Sequence, residues 1–134
     1  MEPTEVMPIV ALLSIVTVEF GGHSLLMFIT TRRGTLGELR ERFFRAGHAH
    51  AGVLLVMSLV YFLYLPRADY SNGLEWTWSA SLLAGVLAQS GGFFVHLWVG
   101  QPGARSVGTA LTRTGALLIA VALIALSAGL IGAL

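Results

Sequence analysis

A 134-residue chain that is 55% hydrophobic and 11% charged, with a net charge of +1 and a mean hydropathy of +0.78, has too little polar surface to enclose a water-soluble core. The near-neutral charge identifies no partner, and the absence of cysteine excludes disulfides, thiolate zinc sites and cysteine-held iron–sulfur clusters. His, Glu and Met are left as potential ligands.

Uninterrupted apolar runs at about 6–30, 47–65, 75–100 and 107–134 each match the ~20 residues needed to cross ~30 Å of hydrocarbon. No alternating strand pattern occurs, so the fold class expected is all-α. Residues 1–134 form a single membrane domain of four transmembrane helices in an up-down bundle. The first run follows the acidic segment Met1-Glu2-Pro3-Thr4-Glu5, where a cleaved signal peptide would be basic, so this run is expected to remain as a helix. Glu19, Gly22 and His23 are read as one face of it, turned to the bundle interior or to a neighbouring subunit, because four residues advance a helix by ~400° and leave side chains ~40° apart.

Arg32, Arg33, Arg40, Arg42 and Arg45 crowd the connection between the first and second runs. With Arg105 and Arg113 flanking the third connection, the positive-inside rule predicts an inner (plasma) membrane protein with both termini outside. Thr35-Leu36-Gly37-Glu38 fits a capping box, and Leu36, Leu39 and Phe43 share a face, which predicts a short interfacial helix over about 36–45. Arg40, Arg42 and Arg45 on its polar side are expected to meet lipid headgroups. His48 and His50 lie ~200° apart on a helix, so one is expected inside the bundle, with His48 preferred because it continues into Ala51, Gly52, Leu55 and Ser58.

Pro66 through Glu75, with Ser71-Asn72-Gly73, reads as a tight outer turn. In the third run Ser81, Gly85, Gln89, Gly92 and His96 form a polar, small-residue stripe directed at a neighbouring helix. The fourth run offers only the small series Ala125, Gly129 and Ala133 for close packing. Trp76, Trp78, Tyr70 and Tyr61 toward the outer side, and Trp98 toward the inner, read as interfacial anchors. Glu19-Phe20-Gly21-Gly22 aligns with Gln89-Ser90-Gly91-Gly92 at an offset of 70, and Arg45-Ala46-Gly47 with Arg113-Thr114-Gly115 at 68. An internal repeat of two hairpins would place Glu19 opposite Gln89; chance similarity among glycine-rich helices is the other reading.

With the termini outside, all four histidines fall in the cytoplasmic half of the membrane on three helices, while Glu19 and Gln89 mark roughly its middle. Imidazoles on facing helices can supply two axial ligands to haem iron, and Gly22, Gly92 and Gly52 would leave room for a flat macrocycle. The favoured expectation is therefore haem b held by His23 and His96, with His48 as substitute or third member. This looks like the general scheme of b-type membrane cytochromes. It implies electron transfer with a quinone or a redox partner subunit, as a membrane oxidoreductase component if the chain is an enzyme.

A bare iron, copper or zinc ion among Glu19, His23, His48 and His96 is the second cofactor expectation. The alternative without a cofactor is a small proton- or metal-ion-translocating transporter or an accessory membrane subunit, homo- or hetero-oligomeric. In it Glu19 acts as proton relay and Gln89 as its hydrogen-bond partner. Finally, Glu41-Arg42-Phe43-Phe44-Arg45-Ala46-Gly47-His48 resembles the Glu-Arg…Arg-Ala-His signature of the membrane-associated eicosanoid and glutathione metabolism proteins, with Gly47 inserted. That resemblance implies a trimeric, glutathione-dependent membrane enzyme with Arg45 and His48 as anion contacts. No nucleophile elbow, phosphate-binding glycine loop or nucleic-acid motif occurs, so no nucleic acid partner is expected.

Overall fold

The computed structural model describes residues 1–31 and 37–134, without the Ile29 side chain. Among these residues the chain is helical, with four long helices: α1 (Pro3–Thr30), α2 (Glu38–Tyr64), α3 (Asn72–Val99) and α4 (Val107–Gly132). Each contains a segment long and apolar enough to cross a membrane.

The α3–α4 pair is the tightest, and four glycines explain it. Gly85 and Gly92 on α3 and Gly108 and Gly115 on α4 recur at seven-residue spacing, so each pair stays on one face. A methyl group at Gly92 would collide with the Gly108 carbonyl and Thr112, and one at Gly115 with the backbone of Gln89. Backbones this close let side chains bond across the seam. The Thr112 hydroxyl donates to the Gln89 carbonyl at 3.3 Å and the Ser81 hydroxyl to the Leu118 carbonyl at 3.3 Å. As the contact positions rise along α3 they fall along α4, so the two run antiparallel. The third-run stripe thus faces α4.

Helix α2 lies between α1 and α3, antiparallel to each: Gly22 and Val18 of α1 meet His48 and Gly52, while Phe93 and Phe94 of α3 meet Gly47. Tyr61 donates to the Ala122 carbonyl at 3.3 Å, tying α2 to α4. A 3-10 turn, Leu65–Ala68, and Asp69 in the left-handed region close the connection between α2 and α3, and the Tyr70 hydroxyl donates to the Ala125 carbonyl at 2.6 Å. Gly129 packs on Ala68 and the Tyr70 ring, so the small series on α4 is used within the chain.

Two expectations change. The interfacial helix of about 36–45 and the span of 47–65 are one helix, because Phe43 and Phe44 pack on Phe93, His96 and Phe94 of α3 and carry the helix past the glycine at 47. At 1.5 Å per residue its 27 residues extend about 40 Å, more than the hydrocarbon needs. Of the capping box, Thr35 and Leu36 lie outside the described residues, as do Arg32 and Arg33. The two hairpins also use their matched glycines differently. Gly115 meets Gln89 within its own hairpin, whereas Gly47 meets Phe93 and Phe94 of the other.

Candidate functional site

The side chains that could carry chemistry occupy three separate environments. The first is the seam of α2, α3 and α4, where His96 is 6% exposed beneath the Phe43 ring, with centroids 4.3 Å apart. Its Nδ1 lies 2.7 Å from the hydroxyl of Ser106. Ser106 is also the N-cap of α4, and its oxygen accepts from the backbone N–H groups of Gly108 and Thr109. With both lone pairs engaged, the hydroxyl has its proton to give, so Nδ1 is the acceptor and Nε2 carries the imidazole hydrogen. The adjoining cavity, ≈160 Å³, is bounded by Phe43, Gly92, Thr112 and Arg113 and includes neither His23 nor His48. Ligand pockets usually hold about 300–1,000 Å³, so this one is small.

The second environment is the crevice between α1 and α2. His48 lies against Gly22, where a methyl group would come within 2.8 Å of Cε1, and its ring makes no hydrogen bond to the described residues. It lines a cavity of ≈310 Å³ with Thr17, Gly21, Phe44 and Phe94. His50 points the other way, its Nδ1–H donating to the Ala46 carbonyl at 2.8 Å and its ring 4.8 Å from that of Phe93. Both histidines are half-buried, one against each neighbour of α2, where only one was expected to face the bundle. The ~200° between them is accommodated because α2 has a neighbour on each side.

The third environment is the outer face of α1, where Glu19 and His23 are both exposed. The expected shared face of Glu19, Gly22 and His23 is split. Gly22 stands about 60° from Glu19 and about 100° from His23 on the helical circle, and the α2 contact takes the Gly22 side. That contact runs through Met7, Ala11, Ile15 and Val18, with Ala11 wholly buried. Glu19 and His23 instead belong to the ridge Leu12, Val16, Glu19, His23, Leu26 and Thr30, all exposed and spaced 4-3-4-3-4.

These placements bear on each expected role. Glu19 and Gln89 form no hydrogen bond among the described residues; Gln89 instead engages α4 through its backbone. The spaces at Gly22 and Gly92 are taken by the His48 ring and by α4, so neither offers a bed for a macrocycle. His23 faces outward while His96 is enclosed. The residues of one chain therefore do not fit a haem held by His23 and His96. Nor does any group of three or more metal-capable side chains assemble among the described residues, so the ligand set Glu19, His23, His48 and His96 is dispersed. Arg45 pairs with Glu41 and Arg42 with Glu38, while the Arg40 guanidinium sits 5.9 Å from the centre of the exposed Trp98 ring. All three arginines are exposed at the N-terminal end of α2.

Sequence reasoning missed Thr17, Phe44 and Phe94 around His48. The paired aromatics Phe43-Phe44 and Phe93-Phe94, each within four residues of a histidine, were the available signal. Comparison with known proteins finds no family model, no curated protein and no solved structure that matches this chain.

Proposed function

We propose that this chain is a proton-handling subunit of the inner membrane, an up-down four-helix bundle with both termini outside that pairs with a second copy through α1. The observation that carries the reading is the exposed heptad ridge with Glu19 and His23 at its centre. A charged side chain at the middle of a membrane helix costs about 2.5–3.5 kcal/mol even on insertion scales, so such groups face a neighbour or a wet cavity. Heptad spacing is the pattern by which one helix seats against another.

Self-association is favoured because the ridge complements itself. A two-fold axis along the membrane normal sets two α1 helices side by side and parallel, and the Glu19 layer of each is one turn from the His23 layer of the other. A carboxylic acid there can pass its O–H proton to the partner's imidazole nitrogen, leaving a carboxylate beside an imidazolium, and take a proton back from the next donor. Arg40, Arg42 and Arg45 rest among headgroups on the inner side and hold the bundle in register with the bilayer.

Proton flux into liposomes loaded with a pH-sensitive dye, driven by a potassium diffusion potential, tests this. Wild-type protein is expected to raise the flux above that of empty liposomes, and Glu19→Gln to lower the increment at least tenfold. Equal flux from wild type and Glu19→Gln would overturn the reading.

A further inference from the structure

The side of α1 opposite the Glu19 ridge borders a cleft. Val10, Ser14 and Thr17 form one wall, Leu87 and Phe94 of α3 the other, and Leu55 of α2 is in the floor; the cavity measures ≈420 Å³. It shares Thr17, Val18, Ala51 and Phe94 with the cavity beside His48, so the two adjoin. From Val10 to Gly21 the combined cleft runs about 16 Å along α1 at 1.5 Å per residue.

Its chemistry is uneven along that length. The hydroxyls of Ser14, Thr17 and Ser90 donate to the carbonyls of Val10, Ser14 and Val86 at 2.7, 2.7 and 2.6 Å, so they offer no hydrogen to a ligand and the long wall is effectively apolar. Leu87 is 75% exposed at the rim, so the cleft opens sideways toward the acyl chains rather than toward water. Only its inner end is polar. There the His48 imidazole has no hydrogen-bond partner among the described residues, and Phe44 and Phe94, edge to face with centroids 5.3 Å apart, supply flat aromatic surface beside it.

We infer that this cleft binds a prenylquinone-class lipid, its planar carbonyl ring at His48 against the aromatic side chains and its single chain along α1 toward the bilayer centre. An imidazole N–H can donate to a ring carbonyl, and the apolar wall along α1 suits a hydrocarbon tail. A phospholipid fits less well. The residues lining the two cavities include no arginine to meet its charged phosphate. The inference uses none of the α1 ridge and stands or falls separately from it.

Equilibrium binding of decylubiquinone to the full-length, detergent-purified protein tests it, with far-UV circular dichroism and gel filtration confirming that each variant folds. One saturable site per chain is expected. His48→Leu should weaken binding at least tenfold, while His48→Gln, which keeps an N–H donor, should stay within about threefold of wild type. Gly22→Ala should also weaken binding, by displacing the ring with the imidazole intact. Non-saturable partitioning, equal binding by wild type and His48→Leu, or full displacement by equimolar phosphatidylglycerol would each overturn the assignment.

Discussion

Ser106 serves two elements at once: its oxygen caps the first turn of α4 and its proton reaches His96 at the end of α3. Ser106→Ala removes both, and the loss of an N-cap alone is worth about 0.5–2 kcal/mol. The expected outcome is a lower melting temperature in detergent. Ser106→Thr, which keeps the hydroxyl, should recover most of it; a melt for Ser106→Ala unchanged from wild type would contradict the dual role. This residue also marks the limit of sequence reading at the site. The helix that carries each histidine was legible in the sequence, but the partners of the histidines were not. Whether His96 presents a lone pair or a hydrogen depends on a serine ten residues away, and neither residue carries a motif.

At the scale of the helices, the α3–α4 seam depends on glycine because backbone meets backbone there. A methyl at Gly115 would strike the main chain of Gln89, which cannot rotate aside as a side chain can. Gly115→Ala should therefore destabilise by about 1–3 kcal/mol or more, the usual range for overpacking. By contrast Gly21→Ala meets nothing within 4 Å and should be neutral to thermal melting. Equal melting of the two variants would contradict the seam.

The four helices were legible because each apolar run is long and bounded by charged or turn-forming residues. The third-run stripe was legible too, since Ser81, Gly85, Gly92 and His96 do face α4. The rotation of α1 was not. Its apolar residues surround the helix, so periodicity alone does not reveal that Ala11 and Gly22, the small residues that permit close approach, define the contact instead of Glu19. Nor could the sequence tell that α2 lies between two neighbours. That arrangement half-buries both His48 and His50 and joins the arginine-bearing segment to the span.

The whole molecule is asymmetric in a way that a finished membrane bundle rarely is. Helices α2, α3 and α4 share the core around Tyr61, Leu82, Val86, Ile119 and Ala122, while among the described residues α1 adds only Ala11 to that buried cluster and leaves its far side uncovered. Leu12, Val16 and Leu26 on that side are 52, 64 and 58% exposed, and Glu19 and His23 lie among them. Lipid can cover leucine and valine without cost, but a carboxyl and an imidazole in the same row call for a polar neighbour. A second α1 supplies one.

The absence of native cysteine makes the direct measurement simple: oxidative cross-linking, in native membranes, of single-cysteine variants at Val16, Leu26, Leu13 and Ile124. All four positions are well exposed in the single chain, but only the first two are on the ridge. Pairing through α1 predicts a covalent dimer from Val16→Cys and Leu26→Cys and little from Leu13→Cys and Ile124→Cys. Ridge cysteines that cross-link no better than Leu13→Cys and Ile124→Cys would contradict it.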